Sequence, residues 1–414
     1  MNLGLTKVSK TGLIQYILIY LILQYAGGRV FAAIGSDRGY LITIVLCGIF
    51  GVLWRNYILA NNSHTVFVVA LGLLCLMTIV LSFGGLSVGT TLSLLSRFIL
   101  VYLAIVINED KFVYRIVRLI YYMAIISLIE YIFISFVGAD TAVELVFSRL
   151  YEIPSGHGWL MSSYGLFIFA FNFVDPTRNS YMYGEAGEYQ AVLVMAAYLL
   201  LTNSWRFEQK ELRKYLIVFF ITLITVQSTT GYFALILLVV LVLFEKRDVT
   251  NAYIKRIVAI LVTVAGIYSI FFARSDSLVY TRFLNKFISG NQIDFAVYTG
   301  ADRVDSILSY GTLLTKDFFN TFIGMGYSGI VSRLGDFTCA GIINSLLMFG
   351  IIPNVFIYYN LIKNNAGFTK KRIETIIAVA LMVNMGLSQP DLFAITSIVI
   401  LCYPWISNLY IGRL

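Results

Sequence analysis

Runs of roughly 20 apolar residues recur along almost the whole chain, and a run of that length forms one helix that crosses a bilayer. No water-soluble core could absorb them all. Only 13% of the 414 residues are charged and 59% are hydrophobic, about half the charged fraction of a soluble domain. The expected fold class is therefore an all-α polytopic membrane protein with about twelve transmembrane helices and both termini in the cytoplasm. The apolar runs place spans near 12–35, 39–54, 64–83, 87–107, 112–138, 187–203, 213–228, 230–245, 257–273, 338–362, 373–388 and 391–410. Transmembrane blocks 1–138, 187–273 and 338–414 then alternate with large extracytoplasmic loops at 139–186 and 274–337.

Basic residues orient this layout. With the first helix running outward, short cytoplasmic segments hold 19 of the 30 Lys and Arg residues, including Arg115, Arg118, Arg206, Lys210, Arg213 and Lys214. That is the asymmetry that retained inner loops carry. One further apolar stretch, Trp159–Val174, would invert every later cluster if it crossed the bilayer. It is expected to lie in the interface or to re-enter without crossing. Between Tyr215 and Phe244, the polar knot Gln227-Ser228-Thr229-Thr230-Gly231 predicts a tight outer turn between two spans.

Several function classes drop out. The four cysteines and two histidines lack metal-ligand or disulfide spacing, so no metal and no cofactor is expected. A net charge of +8 suits a protein with positive inner loops, and no nucleic-acid partner is inferred from it. The apolar run after MNLGLTKVSKTG is long enough to span, which predicts a retained first helix.

The outer side differs in kind. Of the eleven basic residues outside the inner segments, nine are Arg and two are Lys. A guanidinium grips phosphate in a bidentate way and keeps its charge when partly desolvated, so this bias points to a phosphate or pyrophosphate headgroup, against pairing with loop carboxylates. Arg178 and Arg303 are the preferred ligands. The segment Arg178–Gln190 packs Arg178, Tyr181, Tyr183, Glu185, Glu188, Tyr189 and Gln190 just before an apolar helix. Glu188 has two open roles there, helix capping or substrate contact, and Glu185 is the candidate proton acceptor. In the second loop the polar anchors are Asp302, Arg303, Asp305 and Arg333. Gly324 and Gly326 either turn the chain or aim backbone amides at an anion. Inside apolar helices, Arg97 and Glu130 are expected to form an ion pair, with a lipid-phosphate role for Arg97 as the other option. Gln389, Asp391 and His157 are lesser candidates, and His64 is incidental.

The stretch RNSYMYGEAGEYQ, followed by a helix, resembles the Arg/Gly-Glu-Pro-Gly motif of bacterial O-antigen and exopolysaccharide polymerases, the Wzy family, which are related to O-antigen ligases. VQSTTGYFAL, GADRVDSI, FIGMGYSG and INSLLMFGIIPNVFIYY resemble that family's later motifs in order and placement, so the likeness covers about residues 178–362. Ala186 stands where the family has Pro. Ile343-Asn344 stands where ligases place His-Asn, and Thr229-Thr230 where they often have Arg. No Arg-x10-Gly pair occurs in the loops. The resemblance implies a GT-C-like, metal-independent glycosyltransferase in a bacterial inner membrane. Its substrate would be undecaprenyl-pyrophosphate-linked oligosaccharide, and its working partners a chain-length regulator and a flippase. Catalytic roles fall to Arg178, Glu185 and Arg303. Substrate contacts fall to Tyr181, Tyr183, Glu188, Tyr189, Gln190, Asp302, Asp305, Gly324, Gly326 and Arg333. A ligase and, from another class, a lipid-linked oligosaccharide flippase are the alternatives. Transporters of that kind are commonly built from repeats with polar groups near the midplane, whereas here no internal repeat relates the halves and the polar residues crowd the outer loops.

Overall fold

The structure, a computed structural model, describes residues 10–28, 36–53, 88–145, 151–154, 160–164, 169–172, 178–244, 288–289, 292–293, 308, 310–313, 315–316, 318–334, 341–355, 358–359, 372–388 and 394–411. The spans expected at 64–83 and 257–273 lie outside these residues.

Helices dominate, as the apolar runs require. They are α1 (Lys10–Tyr25), α2 (Ser36–Leu53), α3 (Val88–Val106), α4 (Glu109–Val137), α5 (Ala139–Leu145), α6 (Ala186–Thr202), α7 (Gln209–Val226), α8 (Thr229–Phe244), α9 (Phe318–Ile323), α10 (Gly326–Leu334), α11 (Gly341–Phe349), α12 (Arg372–Ser388) and α13 (Ile395–Ile411). Most follow the expected spans within a few residues, and the turn between α7 and α8 falls at Gln227-Ser228. Among the described helices, α4 alone is long and apolar enough to meet the full length test for a membrane crossing; several others, α6 and α8 among them, are shorter apolar helices.

Three elements depart from expectation. The first run stops as a helix at Tyr25, because Gly27 turns the chain at φ 108°. Within Trp159–Val174 there is no described helix. Leu160–Tyr164 (β2) pairs antiparallel with Tyr151–Pro154 (β1) and with Phe169–Asn172 (β3), in register Ser163–Tyr151 and Ser162–Phe171. Strands of four or five residues, at about 3.3 Å per residue, are too short to cross a bilayer. A second hairpin, too small to organise anything, joins Ile288–Ser289 to Gln292–Ile293.

The third departure is a helix break. The run at 338–362 is not continuous, since α11 ends at Phe349 and helix resumes at 351–355 after Gly350 at φ 78°. Facing it, Gly324 (φ 94°) and Gly326 (φ 68°) separate α9 from α10. The two breaks meet backbone to backbone. A Cβ on Gly324 would collide with the Met348 carbonyl oxygen, and one on Gly350 with the Gly324 nitrogen. Positive φ and the missing side chain are both needed here. Freed carbonyls are satisfied from within: Met325 N–H donates to Leu347 O at 2.9 Å and Gly350 N–H to Leu346 O at 2.9 Å. The buried Asn354 amide donates to Gly350 O at 2.7 Å and to Ser345 O at 2.9 Å.

At the centre stands α6. From Tyr189 to Leu201 no residue is more than 4% exposed, because α4, α7, α8, α12 and α13 all pack on it. A helix apolar all round is a core helix, and this one fixes the bundle axis. Around it, α1 and α2 pack on α3, and α13 bridges α3 to α6.

The bundle has two unlike ends. At one, Arg115 donates to Gln15, whose amide in turn donates to Ala104 O and Asn108 O. Arg118 lies over the rings of Tyr114 and Tyr122, and Lys214 over Tyr121. Arg206 donates to Asp110 O at 2.8 Å. Beside it, burial raises the Glu109 carboxyl to about 7, with Asp110 adding and Arg206 opposing.

Two outcomes follow. Gly324→Ala and Gly350→Ala should each lower thermal stability by about 1–3 kcal/mol, while Gly48→Ala and Gly51→Ala, where a Cβ meets open space, should not; thermal unfolding measures both. For Glu109 the folded protein holds the proton more tightly than the unfolded chain. Its contribution is therefore greatest below the ordinary carboxylate range and falls away as pH rises through about 7. The Tm advantage of Glu109→Gln over wild type should grow between pH 5 and 8.

Candidate functional site

The polar end opposite the basic cluster is assembled by the strap 178–185, the eight residues that deliver the chain into α6. Its entry is pinned twice. Arg178 Nε donates to Val226 O at 3.4 Å, the last carbonyl of α7, where a cation suits the helix dipole. Asn179, itself buried, donates from its backbone N–H to Thr225 O at 3.1 Å. Its side-chain amide donates to Thr225 Oγ1 at 3.1 Å and to Ser127 Oγ at 3.3 Å. Ser127 lies on α4 and shares a 2.7 Å hydrogen bond with the Tyr189 hydroxyl. Four elements are thus tied together around one serine.

The strap then turns inward. Tyr181 adopts a left-handed backbone at φ 48°, uncommon for a bulky residue, and Tyr183 forms an antiparallel bridge with Gly28 just beyond α1. Tyr181, Met182 and Tyr183 are all buried. The Tyr183 ring stacks on Tyr189 with centroids 5.3 Å apart, and Tyr181 packs on Tyr189 at 5.8 Å. Burial raises the Tyr181 phenol well above its ordinary value, and the charge of Glu130 adds to the shift. Tyr183 is raised as well, first by burial and then by Tyr189, Tyr181 and Glu188.

Glu185 is the N-cap of α6 and is half-buried. Glu188, three residues on, accepts from the Glu185 backbone N–H at 3.2 Å, as in a capping box. Its carboxylate sits so close to Gly27 that a Cβ there would overlap it. On the next face, the Gln190 side-chain oxygen accepts from Thr230 Oγ1 at 2.9 Å, and the Asn384 amide donates to Thr230 O at 2.9 Å. Gln227, left-handed at φ 51°, donates to the Tyr131 hydroxyl at 3.3 Å.

These placements revise several sequence expectations. Tyr181, Tyr183, Tyr189 and Gln190, expected to contact sugar, are core residues in this conformation. The polar composition of the segment drew the strap outward; in the fold, stacked rings and the α6 N-terminus draw it in. Glu188 takes the capping role of its two options. Gly324 and Gly326 belong to the paired helix breaks; the Gly324 N–H donates to Asn320 O and the Met325 N–H to Leu347 O, so these two amides are used within the chain. Arg333 lies exposed in the last turn of α10. Arg97 lies over the Tyr25 ring at 5.8 Å, and Glu130 beside Tyr181. Arg303, Asp302, Asp305, Gln389, Asp391, His64 and His157 lie outside the described residues. Among the described residues no group of three His, Cys, Asp or Glu could hold a metal.

Arg178 and Glu185, both half-buried, flank the strap at its two ends, one offering fixed positive charge and the other a carboxylate. Sequence reasoning missed Ser127, Asn179, Thr225 and Asn384. Asn179 carried a signal, as the polar neighbour of Arg178; Ser127 carried one only as the residue one helical turn before Glu130.

No protein-family model matches this chain, and no curated protein is significantly similar to it.

The Tyr183 hydroxyl is fully buried without a hydrogen-bond partner among the described residues. Because an unmet buried polar group costs about 1–3 kcal/mol, Tyr183→Phe should raise the Tm in a thermal-shift measurement.

Proposed function

We propose that this protein is a polytopic glycosyltransferase of a bacterial inner membrane, with about twelve spans and both termini in the cytoplasm, that polymerises undecaprenyl-pyrophosphate-linked repeat units at the extracytoplasmic face. The observation that carries the proposal is the assembly of Arg178, Glu185 and the Ser127–Asn179–Thr225 network at the bundle end opposite Arg115, Arg118, Arg206 and Lys214. Wzy-like motifs at 178–190 and 226–235 supply the chemical assignment.

A bilayer setting is supported by what the helices present outward. On α2, Leu41, Ile42, Val45, Ile49 and Val52 are exposed; on α7, Ile217, Ile221 and Ile224 are; and on α4, Ile129, Ile132 and Phe136 are. Contiguous apolar faces of this kind are rare in water.

In the proposed reaction the acceptor sugar hydroxyl attacks the anomeric carbon of the growing glycan. The bond from that carbon to the pyrophosphate oxygen breaks, and the pyrophosphate departs with the electron pair. Glu185 receives the hydroxyl proton. Arg178 and Arg303, with Arg333 assisting, stabilise the charge that develops on the leaving group. A flippase reading draws on the paired breaks at Gly324 and Gly350, since carriers bind cargo and ions at unwound helices. Here, though, the carbonyls of Ser345, Leu346, Leu347 and Gly350 already accept protein hydrogen bonds, which favours an enzyme.

Purified protein supplied with a synthetic lipid-pyrophosphate repeat unit should yield a ladder of longer products. Arg178→Ala and Glu185→Gln should each reduce it by about a hundredfold or more with folding intact. A ladder that survives both changes overturns the site. A single adduct on lipid A core would mean ligation, and movement without chemistry a flippase.

A further inference from the structure

We propose that Asn179 is a positioning residue for Arg178, acting through a four-element lock made with Ser127, Thr225 and Tyr189. The inference deepens the proposed function and rests on it for its kinetic consequence only. Arg178 stands half-buried at the mouth of the strap, where its Nε donates to the Val226 carbonyl at 3.4 Å. The next residue anchors the same stretch of chain. Asn179 is 4% exposed and makes three hydrogen bonds, two to Thr225 on α7 and one to Ser127 on α4. Ser127 is itself fixed, donating to Ala124 O at 2.9 Å and sharing the 2.7 Å bond with Tyr189 on α6. Neither Ser127 nor Asn179 is placed to touch substrate, since both are buried. Their chemistry is directional: an amide NH2 donates to two hydroxyl oxygens and forces the backbone of residue 179 against the end of α7. The preceding guanidinium is thereby set on the Val226 carbonyl. Only Asn meets this demand, because Asp accepts where donors are needed and would put a carboxylate beside Arg178.

The test uses the full-length protein in detergent or nanodiscs. Phenylglyoxal labelling is followed at the Arg178 peptide by mass spectrometry, with exposed Arg38 as the internal control. Asn179→Ala and Thr225→Val should each speed modification of Arg178 by about fivefold and leave Arg38 unchanged. The double variant should be no faster than the faster single, as members of one network are not additive. In the ladder assay kcat per folded protein should fall in Asn179→Ala and in Asn179→Asp with KM little changed, whereas a merely structural role would lower the yield of folded protein and leave kcat and the Arg178-to-Arg38 labelling ratio unchanged. Unchanged Arg178 reactivity in both single variants, or additive effects in the double, overturns the proposal. Should Asn179→Ala not fold, Thr225→Val, which removes one acceptor and keeps the volume, decides alone. If wild type makes no ladder, the enzyme assignment falls while the labelling result still judges Asn179.

Discussion

A helix that begins inside a bundle has four backbone N–H groups with no helical partner, and in apolar surroundings water cannot serve them. The α6 helix poses this problem in acute form, because it is buried along nearly its whole length. The answer is local. Glu185 and Glu188 cap the first turn, and the strap that precedes them folds under α1 so that Tyr183 can pair with Gly28. Two small residues make the approach possible: Gly27 admits the Glu188 carboxylate, and Gly28 leaves room for the Gln24 side chain.

The same constraint governs the breaks at Gly324 and Gly350. Interrupting a helix among apolar neighbours strands carbonyls, and each stranded group costs about as much as a lost hydrogen bond. Two breaks set face to face can satisfy one another, which is what the Met325–Leu347 bond accomplishes, and Asn354 covers the remainder with a single amide. Paired breaks of this kind are stable as fixed architecture. They join α9, α10 and α11 into one unit that leans on α12, and they leave the polar chemistry of the molecule to the strap.

Element positions were largely legible in the sequence because an apolar run has one dominant period and length. The α7–α8 turn was legible for a second reason: Gln227-Ser228 would otherwise place a polar knot in the middle of a span. What escaped was direction. Tyr181, Tyr183 and Tyr189 are amphipathic, and nothing in their spacing tells whether the hydroxyl or the ring decides where they go. The break at Gly350 escaped because a lone glycine in an apolar run is compatible with an unbroken helix, and only the opposing Gly324, 26 residues away in sequence, makes it a junction. The strand pairing of Leu160–Tyr164 rests on contacts with 151–154 that no local periodicity encodes.

Burial of the strap bears directly on the proposed chemistry. Stacked Tyr183 and Tyr189 cannot offer faces to a sugar in this conformation, so under the proposed reaction the glycan would be met by groups at the rim. Arg178 belongs to the α7 end, pinned through Asn179 and Val226, while Glu185 belongs to the α6 end, fixed as an N-cap. The buried tyrosine stack makes the residues between them part of the core. Under the proposed reaction Glu185 would meet the acceptor hydroxyl while Arg178 stays with the leaving pyrophosphate.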